Sequence, residues 1–254
     1  MTSSPRSSNL VVQARAKLVR SSFRLAKQTI ILDSLVSGLQ REATHFKIRV
    51  LDFVDTFIKE RPESPHTPQI ILPLIRTIMG SGPDEKQLAE KTIGILKTRF
   101  RAPKILPRPE PDSKGAMLDI ESLTNDFEQL HSIARRASLS QNGLSDVVST
   151  CTIYLSKVLV HGGMQETVTA AYVASIGDYV TRKNSKIWPT YISDFVRRSS
   201  PPLLWSLRDM ILEACSVGKA INTFRQMASF QILGEFLSSI VQLVGLINSR
   251  VFVH

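Results

Sequence analysis

Along this chain the apolar residues recur at three- and four-residue spacing, and no run alternates apolar with polar as a half-buried strand would. That rhythm confines each segment to an amphipathic helix whose apolar stripe must find another helix. Val50, Leu51, Val54, Phe57 and Ile58 form one stripe; Ile71, Leu74, Ile75 and Ile78 form the next; Leu88, Ile95, Leu96 and Phe100 a third. The second half repeats the theme with Leu123, Phe127, Leu130 and Ala134, then Val147, Val148, Cys151, Leu155, Val158 and Leu159. Further stripes follow: Val168, Tyr172, Ile176 and Tyr179; Tyr191, Ile192, Phe195 and Val196; and Leu203, Leu204, Leu207, Ile211 and Ala214. The spacing predicts an all-α chain of about nine or ten helices.

The breaks between stripes carry their own chemistry. In "RPESPHTP" (61–68), Thr67 is placed to cap the next helix and Pro68 to take its first position. Pro73, inside the second stripe, must kink that helix or shift its start. "HGG" (161–163) is a helix stop, since glycine takes the left-handed cap conformation cheaply. "RAPKILPRPEPDSKG" (101–115), with four prolines, reads as a semi-rigid basic linker. The expected organisation is a disordered 1–9, a first helical segment over 10–100, the linker, and a second helical segment over 116–254. Short connections between successive helices suggest a helical-repeat α-solenoid of the armadillo or HEAT type. The last helix, from about Lys219 to Ile247, is mostly apolar, so it is expected to be central or split near Gly234.

The charge balance points outward. Lys and Arg number 32 against 22 acids, a formal net charge of +10 over 254 residues, which favours anionic partners, nucleic acid first. Cys151 and Cys215 have no paired spacing, so neither a disulfide framework nor a zinc site is expected. The N-terminus "MTSSPRSSNL" lacks the apolar core of a secretory signal. The uncharged stretch 236–248 is shorter than a bilayer requires, so a buried helix is expected there and no membrane association.

Catalytic equipment is sparse. His45, His66, His131, His161 and His254 are scattered, none at helical ligand spacing to another His or Cys. Asp52 and Asp55 share a helix face, but two-metal chemistry needs rigidly held carboxylates, and a solvated face beside Lys59 is the simpler reading. No glycine-rich phosphate loop and no nucleophile elbow occur. The expectation is a non-enzyme without catalytic, metal or cofactor-binding residues and without a small-molecule substrate.

The basic residues are more informative. Arg15, Lys17, Arg20, Arg24 and Lys27 crowd a segment where Val11, Leu18, Leu25 and Leu32 recur every seven positions. Lys97, Arg99, Arg101 and Lys104 surround the start of the linker, and Arg182, Lys183, Lys186, Arg197 and Arg198 lie near two later breaks. Each is a candidate phosphate contact of a salt-dependent, sequence-independent kind. "RRAS" (135–138) fits basophilic kinases, which makes Ser138 a candidate phosphorylation site.

The block "HFKIRVLDFVDTFIKERPESP…ILPLIRTI…AEKTIGILKTRF" (45–100) resembles the DNA polymerase V family, also called the DNA polymerase phi or Myb-binding protein 1A family. "LSDVVSTCTIYLSKVL" and "ISDFVRRSSPPLLWSLRDMILEAC" resemble its later portion. The resemblance implies a C-terminal part of a nuclear, nucleolar helical-repeat scaffold. Such a protein acts in rRNA gene transcription and ribosome biogenesis, with rDNA or pre-rRNA and transcription or ribosome-assembly proteins as partners. It brings no active-site residues with it. Two alternatives stand beside it: a DNA-directed DNA polymerase, as the family name suggests, and a purely protein-binding helical module.

Overall fold

The computed structural model describes residues 38–103, 105–107, 117–137 and 143–251, with side chains up to Gln242. Among them every regular element is helical. The chain divides into two compact units, 1–50 and 51–254. In the first, described residues 38–50 are helical, with Thr44 Oγ1 donating to the Gln40 carbonyl at 2.9 Å.

The second unit starts with helical residues 51–60 (α1). A 3-10 turn, Pro68–Ile70, leads into α2 (Ile71–Gly80), and a second, Pro83–Glu85, into α3 (Lys86–Phe100). Then come α4 (Ile120–Arg136), α5 (Leu144–His161), α6 (Gln165–Thr181), α7 (Pro189–Arg198), α8 (Pro201–Trp205), α9 (Arg208–Ala214) and α10 (Thr223–Val251). These ten α-helices among the described residues match the number expected.

Local chemistry explains the boundaries. Pro73 falls in the first turn of α2, where a missing N–H costs nothing, so it shifts the start rather than kinking the helix. Thr67 does not cap; its hydroxyl donates instead to the Arg61 carbonyl at 2.9 Å and ties the preceding loop. Asp119 caps α4 by accepting from the Ser122 amide at 3.0 Å. Gly162 ends α5, and Gly163, at φ +84°, takes the left-handed turn that "HGG" implied.

The predicted stripes of α2, α4, α6 and α7 are all buried. In α1 only Leu51 and Ile58 are fully buried, while Val50, before the division, is 41% exposed. The stripe from Leu203 to Ala214 is buried as expected, but a turn at Ser206 and Leu207 divides it between α8 and α9.

The central helix is α5, not α10. Thirteen of the eighteen residues of α5 are buried, and α2, α3, α4, α6 and α7 all pack on it. Its hydroxyls make this tolerable: Thr152 Oγ1 donates to the Val148 carbonyl and Ser156 Oγ to that of Ile153, each at 2.7 Å. Helix α10 runs unbroken through Gly234 and packs on α6, α7, α8 and α9, with one face of its described residues turned inward. Across the segment 101–115, α2 and α3 pack directly on α5. Among the described residues, no helix is long and apolar enough to cross a membrane.

Candidate nucleic-acid interface

The basic residues singled out in the sequence meet different fates. Arg15, Lys17, Arg20, Arg24, Lys27, Lys104 and Ser138 lie outside the described residues. Arg99 is engaged inside the fold: its Nε and Nη2 donate to the two carboxylate oxygens of Asp55 at 2.7 and 2.8 Å. This fork-to-fork bond holds the Asp55 carboxyl below the usual carboxylate range. Asp52 accepts from Lys91 Nζ at 2.6 Å. Both carboxylates of α1 therefore tie it to α3, Asp55 half-buried and Asp52 still exposed to solvent. Lys97 pairs with Asp146 at 3.1 Å, and Arg197 with Asp194 at 2.7 Å.

Arg101 and Arg198 are brought together. Arg198 Nη2 donates to the Arg101 carbonyl, and burial followed by the Arg101 charge lowers the Arg198 pKa, against the pull of Asp194. Lys157 on α5, which the periodicity did not single out, is half-buried here. Its pKa is lowered by desolvation and then by Arg198.

An exposed concentration of positive charge lies at a corner between α4 and the loop after α6. The Lys186 amide donates to the Arg135 carbonyl at 3.1 Å, which joins the end of α4 to the 182–186 loop. Arg135, Arg136, Arg182, Lys183 and Lys186 meet at this corner. Among the described residues only Arg182 of these five has a carboxylate within ion-pair distance, Asp178 at 3.3 Å. Arg136, Arg182, Lys183 and Lys186 are exposed.

The loop is held from behind by Arg225 of α10. This side chain is buried, and its guanidinium donates to the carbonyls of Tyr179 (2.6 Å), Arg182, Lys183 (3.4 Å) and Ser185 (3.5 Å). It also lies 5.3 Å from the Tyr179 ring. The orphan carbonyls at the end of α6 and the negative end of its dipole thus offset a buried cation without a carboxylate. Sequence reasoning misses Arg225; the available signal is a lone arginine in the first turn of a largely apolar helix. It also reads Arg135 and Arg136 only as a kinase motif.

A buried polar cluster lies deeper, between α4, α6 and α7. His131 Nδ1 is 2.8 Å from Ser175 Oγ and 3.2 Å from the Tyr191 hydroxyl. The rings of Phe127, Tyr172 and Tyr191 meet the imidazole edge-on. Burial, followed by Arg135, pulls the His131 pKa down to about 3, so the ring stays neutral. His131 and Ser175 are at most 1% exposed, so this pair packs the core and meets no substrate from solvent. A shallow cleft beside Tyr191, lined by Asp146, Ser149, Trp188 and Asp194, has room for about one water. Among the described residues no three His, Cys, Asp or Glu side chains are grouped to hold a metal ion. Burial pushes the Cys151 thiol far up, so it is a weak nucleophile.

Comparison with protein families, with curated proteins and with solved structures returned no match.

Proposed function

We propose that this chain is a helical scaffold that holds nucleic acid by its phosphates, with the corner formed by the end of α4 and the 182–186 loop as its main contact. The observation that carries the reading is the Lys186–Arg135 junction, where five cations share one paired carboxylate on a loop fixed by Arg225. Preformed backbone lets the side chains meet phosphates without ordering the loop first. Arg101, Arg198 and Lys157 supply a second basic locus. The architecture proposed is a helical-repeat array of the armadillo or HEAT kind, supported by the packing of α2 on α3, α4 on α5 and α5 on α6, and of the alternate helices α3 on α5, α4 on α6 and α5 on α7. The resemblance to the DNA polymerase V family directs the proposal to rDNA or pre-rRNA in the nucleolus, in rRNA transcription and ribosome biogenesis. The engagement of Asp52 and Asp55 by α3 supports a non-catalytic role.

The test is binding of the full chain to duplex DNA and to structured RNA across a salt series. Log affinity should fall linearly with log salt. Lys183→Glu with Lys186→Glu should weaken binding across sequences and lower the slope by about one for each phosphate that is no longer neutralised. Lys97→Glu, at a position already paired with Asp146, should change affinity far less. No binding at low salt, or an unaltered double variant, overturns the proposal.

A further inference from the structure

Among the described residues nothing covers the outer face of α10. Phe224 (69% exposed), Met227 (69%), Phe230 (52%), Leu237 (52%) and Val241 (67%) stand out of the body. From Met227 the residues Phe230, Gly234, Leu237 and Val241 follow in steps of three, four, three and four. Those are the steps of a seam between two paired helices, where each side chain drops into a hole on a facing helix. The same spacing serves any flat apolar partner, so charge and area must choose the occupant.

We infer that this stripe is a self-association surface, and that its occupant is the same stripe of a second copy of the chain. Charge selects that partner. A chain of net charge +10 repels its own copy over most of its surface. Between Phe224 and Gln242 the helix carries two charged residues, and both turn inward. Arg225 is buried under the loop, and Glu235 faces Arg197 at 4.0 Å. The flanking Gln226, Gln231 and Ser238 are neutral, so two copies approach here without repulsion. Area agrees. With roughly 150–250 Å² for a bare aromatic side chain and somewhat less for Met, Leu or Val, the five expose on the order of 600 Å². That is most of the ~800 Å² each partner gives to a standard interface. Gly234, at the middle of the stripe, has open space where a Cβ would be, so the two backbones can approach closely at the two-fold axis.

Sedimentation of the full chain over a micromolar concentration series tests this. The expected result is a twofold rise in mass with concentration, abolished by Phe230→Glu with Leu237→Glu while the helical circular dichroism is kept. Gly234→Cys, in a Cys215→Ser background, should form an oxidised cross-linked dimer, because position 234 meets its counterpart in a parallel or antiparallel pair centred on the stripe. It serves as the second readout if the glutamate variant loses its fold. A wild-type chain that stays monomeric and a Gly234→Cys variant that does not cross-link overturn the inference. So does a monomer that binds phosphatidylcholine vesicles through Phe230 and Leu237, which would assign the face to lipid.

Discussion

Arg225 shows how one side chain organises residues distant in sequence. Its four carbonyl partners belong to the end of α6 and the loop beyond. Arg225→Ala should destabilise the fold by about 2–3 kcal/mol, since buried carbonyls lose their donors, measured by urea denaturation. Arg225→Lys should recover only part of this, because a single ammonium cannot serve a fork of acceptors. His131 makes a prediction in pH. Its folded pKa of about 3 lies below the ordinary 6.5. As pH falls from 6.5 to about 5, the unfolded chain takes up a proton that the folded chain refuses, so stability drops, approaching ~1.4 kcal/mol per pH unit from this residue. His131→Gln should remove that slope; urea titrations at several pH values would show it.

At the level of elements, two helix starts are open to test. Asp119→Ala should cost about 1 kcal/mol by removing the cap of α4. Gly143 precedes α5 at φ +85°, and a Cβ there would sit 3.0 Å from Lys97 Nζ. Gly143→Ala should therefore cost about 1 kcal/mol or more and loosen the Lys97–Asp146 pair, both seen in thermal melts of the single variants. Stripes on α2, α4, α6 and α7 were legible because one apolar face is all that periodicity needs to report. The identity of the central helix was not legible. Composition favours α10, whereas α5 carries Ser149, Thr150, Thr152 and Ser156, which look like surface residues until all four are seen buried, with the hydroxyls of Ser149, Thr152 and Ser156 bonding inside the fold. The turn at Ser206 is hidden because the apolar spacing continues through it.

For the whole molecule, the positive surface predicts a linkage effect. Heparin at about 100 times its dissociation constant should raise stability by ~2.7 kcal/mol, read as an upward shift in melting temperature that high salt abolishes. The cations of the corner can be read individually from the sequence, but their meeting cannot. Arg135 and Lys186 are joined by a backbone hydrogen bond that only the packing of α4 beside α6 creates. Similarly, Arg99 resembles a phosphate ligand in the sequence because nothing in the spacing reveals that Asp55 stands opposite it.

Helix α5 has almost no side toward water, so its amides reach solvent only when several neighbours depart together. In deuterium its mid-helix protons, around Cys151 to Leu155, should be the last to exchange, and their rate should report the opening of the entire 51–254 body rather than a local fluctuation. A label on this one segment would thus serve as an internal gauge of cooperativity for every variant named above.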